Sequence, residues 1–202
     1  MTDFKLLVSA TSGIPVTTMK YSIEWLLDQH QKGENLKFVF FWGHQPRKDG
    51  SAGESCFSQW WLSAFTVDGV VYQTAEHWMM AQKARLFNDE ETLARILACT
   101  SPAEAKKMGR LVKSFDPVLW DAHKYELVKQ GNYHKFSQHP DLRDFLLGTN
   151  NRVLVEASPV DAIWGIGMAK TDENISNPQR WKGENLLGFA LMAVRDALNA
   201  DK

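Results

Sequence analysis

Hydrophobic and polar positions follow several distinct rhythms along this chain, and each rhythm predicts an element. Leu36 to Trp42 is a continuous β-prone run, the pattern of a buried strand. Ser63 to Tyr72 sets two β-branched or aromatic runs on either side of Asp68-Gly69, a strong hairpin signal because such a turn needs positive φ at both positions. A helix begins directly afterwards at Thr74. Three more helices announce their starts. Ser101-Pro102-Ala103-Glu104 has an N-cap serine, a proline at the first helical position and a capping-box glutamate. Asp116-Pro117 repeats the pattern and leads an amphipathic segment through Leu119, Trp120, Tyr125 and Val128. His139-Pro140-Asp141 opens a third, ending at Gly148. Arg152 to Glu156 reads as a short strand, Ser158 to Gly183 as a glycine-spotted loop, and Leu186 to Val194 as a closing helix. Upstream, Tyr21 to Gln31 suits a short helix stopped near Gly33, and residues 1–18 carry little pattern, with Met19 as an alternative start. The expectation is residues 1–35 as an N-terminal extension with a short helix, and 36–202 as the main domain. Its fold class is α+β: a single helix-rich domain with a small, mainly antiparallel sheet near the N-terminus.

The helix from Thr74 breaks its own pattern. At about 100° per residue from Ala75, the residues Leu86, Met79, Lys83, Glu76, Phe87 and Met80 span one sector of roughly 120°. A carboxylate and an ammonium thus lie amid apolar neighbours, where unpaired charge is costly. They are seven residues apart, roughly 10 Å along the axis, beyond the reach of an i, i+4 pair. A ligand between them explains the placement. The plainer account also stands: Glu76 complements the helix dipole in the first turn, Lys83 extends its amine to water, and Trp78 on the far side makes the helix buried all round.

Composition narrows the classes. With 202 residues, 44% hydrophobic and 23% charged, the chain has ordinary globular usage. A net charge of -1 gives no global attraction for nucleic acid or membrane surfaces. No apolar run is long enough to cross a membrane, and Met1-Thr2-Asp3-Phe4-Lys5 lacks the features of a signal peptide. Cys56 and Cys99 form neither a disulfide framework nor a metal knuckle, which points to a reducing cytoplasm. None of the six histidines has ligand spacing, so no metal is expected. Aromatics in expected loops (Trp42, Phe57, Trp60, Trp61, Trp164, Trp181) either plug the core or stack on a planar ligand.

Two further stretches carry candidate chemistry. Asp161-Ala162-Ile163-Trp164-Gly165-Ile166-Gly167 sets an acid beside an aromatic and two glycines, as a ligand contact or as ordinary turns with a core-capping tryptophan. Gly183-Glu184-Asn185 opens the last helix, where free N–H groups favour phosphate or an ordinary cap forms. Arg110 and Lys113, on the helix after Ser101, are either a solvated face or a second anion contact.

Together, Phe40-Phe41-Trp42-Gly43, Phe57-Ser58-Gln59-Trp60, Thr74-Ala75-Glu76-His77-Trp78 with Gln82-Lys83-Ala84, Ala105 to Arg110, Asp161 to Gly165, and Gly183 to Arg195 resemble the NADAR family, the YbiA-like N-glycosidases. The match runs in order from residue 36 to 198. The resemblance implies a small α+β fold without metal or cofactor. It implies hydrolysis of the N-glycosidic bond between a base and ribose 5-phosphate in early riboflavin-biosynthesis intermediates. The alternative is an ADP-ribosyl hydrolase acting on ADP-ribosylated guanine in nucleic acid or on NAD-derived ADP-ribose. A different class, a non-catalytic nucleotide-binding module, rests on the aromatic loops alone. By similarity, Glu76 and Asp161 match essential carboxylates and Lys83 a motif lysine. Phe41, Trp42, Phe57, Ser58, Trp60, Arg110, Trp164, Gly165 and Asn185 are the expected substrate contacts. The chain departs from the family in its first 35 residues and in a longer loop from Met168 to Lys182.

Overall fold

Cap and turn chemistry sets most element boundaries in the computed structural model, which describes residues 19–201. The expectations for residues 1–18 lie outside that range. Helix α1 (Ile23–Gln31) starts at Ser22, whose hydroxyl accepts the Trp25 N–H, and the chain turns at Gly33 with φ of 74°. Strand β1 (Phe38–Phe41) leads into a loop holding one 3-10 turn, Glu54–Phe57. Strands β2 (Phe65–Val67) and β3 (Val70–Tyr72) close on Asp68 and Gly69, at φ of 49° and 78°. Both positive values suit the twist of a two-residue hairpin loop. Thr74 caps α2 (Ala75–Leu86), its hydroxyl accepting the His77 N–H at 3.3 Å. After α3 (Glu90–Leu97), Ser101 and Glu104 form a complete capping box on α4 (Pro102–Gly109). Asp116 accepts the Val118 N–H at 2.8 Å to start α5 (Pro117–Gln138). Helix α6 (Pro140–Leu147), strand β4 (Val153–Glu156) and helix α7 (Leu186–Ala200) complete the α+β order.

The strands divide differently from the expected single sheet. β2 and β3 form an antiparallel pair, whereas β1 pairs with β4 in parallel, from Phe38 opposite Val153 to Phe41 opposite Glu156. A parallel partner arrives only through a long crossover, and nothing within Leu36–Trp42 records which distant strand it will meet. Helix α3 is an addition to the expected order. It has only 8 residues, and its cap, Asp89 accepting the Thr92 N–H at 3.0 Å, lacks the proline that marks the later starts.

Two helices form the centre. α7 packs on α5, β4 and α6, and α2 packs on α3, α4 and α5. Residues 75–82 of α2 are all buried, so the helix has no solvent face along that stretch and its charges must be read by what surrounds them. Trp78 faces α5, its indole N–H donating to the Leu127 carbonyl at 2.8 Å. The close crossing needs Gly131, where a Cβ would stand 2.7 Å from the indole nitrogen.

Candidate active site

A cleft of about 200 Å³ opens between α2, α4, the start of α5, the end of β4 and the loop around residues 161–164. Helix α2 supplies two charged groups to it. Glu76 is 2% exposed, and its Oε1 has no hydrogen-bond partner among the described residues. Burial pushes its carboxyl up to about 7, against the opposing pull of Lys106, Trp60 and Arg110, while Asp161 adds to the rise. Lys83 lies at the other end. Its Nζ donates to the Gly109 carbonyl at 2.9 Å and stands 4.1 Å from the Phe115 ring centroid. It forms no ion pair among the described residues, and burial lowers its pKa.

The opposite side is built on the carboxyl end of the parallel strands, a common place for ligand groups in parallel sheets. Glu156, the last residue of β4, presents its carboxyl to the cleft. Its Oε2 is buried without a hydrogen-bond partner among the described residues. Burial, then the negative charge of Asp161, pushes it up to about 8, with Lys106 opposing and Glu76 adding. Its backbone is held on both sides: its N–H donates to Asn185 Oδ1 at 3.0 Å, and its carbonyl accepts from the Ile166 N–H at 3.0 Å. Asp161 folds its own loop, with Oδ1 accepting the N–H groups of Ile163 at 2.9 Å and Trp164 at 2.8 Å. Among the described residues, no three histidine, cysteine or carboxylate side chains are gathered to hold a metal ion.

The third wall is the segment Ser58-Gln59-Trp60. Lys135 of α5, fully buried, holds it by donating to the Cys56 carbonyl at 2.6 Å and the Ser58 carbonyl at 3.0 Å. Gln59 ties the wall to α2, its carbonyl accepting the Glu76 N–H at 2.9 Å. Lys106 and Arg110, one turn apart on and just beyond α4, complete the lining on the side of Lys83.

This combination can be compared with known proteins. The NADAR domain matches residues 40–199. N-glycosidase R617 of Acanthamoeba polyphaga mimivirus is 43% identical over 169 residues, covering 81% of this chain and 97% of its own length. N-glycosidase YbiA of Escherichia coli K12 is 34% identical over 148 residues, covering 73% of this chain and 82% of its own. The chain belongs to the NADAR family. The NMR structure of the E. coli protein YbiA superposes with a TM-score of 0.64 at 31% identity, covering 82% of this chain and 86% of that one.

Against the expectation from this NADAR resemblance, the fold brings Glu76, Lys83, Asp161, Ser58, Trp60, Arg110 and Trp164 to one cleft. The other named contacts lie elsewhere. Phe41 and Phe57 are core residues, meeting edge to face at 5.5 Å. Trp42 is 58% exposed and does not line the cleft. Asn185 is fully buried and spends its side chain on β4, accepting from Glu156 and donating to the Leu154 carbonyl at 2.9 Å. Gly165 is buried beneath the acids: a Cβ there would stand 2.8 Å from the Glu156 carbonyl oxygen and 2.9 Å from that of Asp161. The start of α7 offers no phosphate site of the kind considered from sequence. The Leu186 and Leu187 N–H groups already donate to the Ile163 and Trp164 carbonyls, at 3.2 and 3.1 Å. Of the six loop aromatics, only Trp60 and Trp164 line the cleft, and Trp120 joins them from α5.

Glu156, Lys106 and Trp120 are charged or aromatic lining residues absent from the expected contacts. A glutamate closing an otherwise apolar strand was the available signal for Glu156. Lys106 sits four residues before Arg110, so one helical face carries both. Trp120 reads as part of an amphipathic helix, and nothing in that pattern separates it from core.

Proposed function

We propose that this cleft hydrolyses the bond between a base and ribose 5-phosphate, with ribosylaminopyrimidine phosphates, the early riboflavin-biosynthesis intermediates, as the substrate class. The reaction class follows from the family and its named relatives: the chain is a hydrolase acting on N-glycosyl bonds. The observation that carries the substrate is the mixed lining of the cleft. Three cations, Lys83, Lys106 and Arg110, three acids, Glu76, Glu156 and Asp161, and three indoles share it. A ribosyl phosphate bearing a planar base offers a partner to each kind of group. Its phosphate takes charge-assisted hydrogen bonds from Lys106 and Arg110, its planar base lies against tryptophan faces, and C1′ comes to the acids.

Breaking the ribosyl–nitrogen bond develops positive charge at C1′, which an anionic carboxylate stabilises, and negative charge on the base, which a proton relieves. Glu76 suits the anionic role because Lys106, Arg110 and Trp60 all favour its ionised form. Asp161 offers an acceptor to a ribose hydroxyl. Lys83 has two supported capacities. Its contacts with the Gly109 carbonyl and the Phe115 face are those of an ammonium, and its depressed pKa suits an amine that attacks an opened ribosyl aldehyde. Borohydride added during turnover separates them: a covalent adduct at Lys83 identifies the amine, and undiminished turnover without an adduct identifies the cation.

Purified protein is incubated separately with ribosylaminopyrimidine phosphates, NAD and ADP-ribosylated DNA, and free base and free sugar are measured. Release of free pyrimidine and ribose 5-phosphate supports the proposal. Release of ADP-ribose alone replaces it with ADP-ribosyl hydrolysis, and binding without product replaces it with a nucleotide-binding module.

A further inference from the structure

We propose that Glu156 is the proton donor to the departing base, a role that rests on the substrate reading above. The argument starts from what Glu156 does not do for the fold. Its carboxyl is directed to the cleft, and its buried Oε2 makes no hydrogen bond among the described residues. A buried carboxylate oxygen without partners costs stability, whereas β4 is held at its backbone, by the Asn185 side chain at the Glu156 N–H and Leu154 carbonyl and by the Ile166 N–H at the Glu156 carbonyl. An apolar residue would close the strand at lower cost. The carboxyl therefore belongs to the cleft.

The neighbours divide the labour among the three acids. Glu156 faces Glu76 from α2, Asp161 from its loop and Lys106 from α4. Two of those three are acids, so a proton is retained here more readily than at Glu76, which feels Arg110 and Trp60 as well as Lys106. Asp161 has one oxygen committed to two backbone N–H donors. Pairs of acids whose surroundings separate their proton affinities mark the acid and the base of a reaction.

The step balances as follows. The C1′–N bond breaks with its electron pair on the base nitrogen, which takes the proton from Glu156. Water bonds to C1′ through oxygen and gives its proton to Glu76. Transfer of that proton from Glu76 to Glu156 restores both groups, and the net change is water added across the bond.

The test varies the leaving group. A ribosylaminopyrimidine 5-phosphate needs a proton on its leaving nitrogen, whereas the nitrophenolate of a nitrophenyl riboside 5-phosphate departs without one. Glu156→Gln is expected to lose roughly 10²- to 10³-fold in kcat on the first compound and less than about 10-fold on the second. Wild-type protein is expected to show an alkaline fall in kcat on the first compound only, which needs no variant to fold. Equal losses on both compounds, or an alkaline fall common to both, overturn the assignment while the substrate reading stands. Wild-type protein inactive on both overturns the substrate reading and the assignment that depends on it.

Discussion

At the scale of single residues, the two glutamates of the cleft give it opposed requirements of pH. Glu76 acts as an anion and sits near 7, so activity rises as pH passes upward through that value. Glu156 acts as an acid and sits near 8, so activity falls above it. Since the acids interact, the profile of kcat/KM reports values of the cluster and not of one residue, and a narrow bell between neutral and mildly alkaline pH is expected. Glu76→Gln should lose on the order of 10²-fold or more in rate with an unchanged circular dichroism spectrum, and near-normal turnover would remove Glu76 from the mechanism. Stability follows a different sign. The Glu156 carboxyl is raised from 4.5 to about 8, so the folded chain binds more protons than the unfolded one between those values. Its stabilising contribution is fully present below pH 4.5 and is lost as pH rises through 8. Glu156→Gln removes that dependence. Thermal unfolding should show the variant close to wild type at pH 5 and more stable by on the order of 3 kcal/mol at pH 9.

At the scale of elements, the acids are held by backbone contacts that leave little slack. The loop after β4 crosses so close to Gly165 that a side chain there meets the carbonyls of both Glu156 and Asp161. Gly165→Ala should therefore lower kcat by roughly 10²-fold through displacement of the two acids. Binding of a phosphorylated sugar should change less, because Lys106 and Arg110 stand on a different element. Equal effects on kcat and KM would argue for general unfolding of the site. Asn185 serves β4 and α7 together. It adopts φ of 55° and ψ of 32°, which asparagine tolerates better than alanine. Asn185→Ala leaves the Glu156 N–H and the Leu154 carbonyl without their side-chain partner and strains the backbone. A loss of roughly 2–4 kcal/mol is expected, lowering Tm by on the order of 10 °C, as calorimetry can measure. The helices were the most readable elements, because their starts are chemical: Thr74, Ser101 and Asp116 each cap a helix within three residues of themselves.

At the scale of the whole molecule, a nearly neutral chain concentrates its useful charge in one place. Its net charge of -1 conceals three cations and three acids sharing a single cleft. Lys106→Ala and Arg110→Ala should each raise KM for a ribosyl 5-phosphate by roughly 10-fold, and by much less for the unphosphorylated nucleoside. Added salt should weaken binding of the first and spare the second. Steady-state kinetics on the matched pair of substrates checks both. The sequence by itself determined the hairpin, the capped helices, the α+β class, the family resemblance and the oddity of Glu76 and Lys83 on one packed helix. These are consequences of neighbours within a few positions, or of motifs recognised in order. Only the tertiary structure decided that β1 meets β4 in parallel, that Phe41, Phe57 and Asn185 serve the core, and that Glu156 and Lys106 join the cleft. Burial and charge environment are set by residues distant in sequence. A carboxyl at the end of a short strand thus acquires its chemistry only when α2, α4 and the loop around Asp161 close over it.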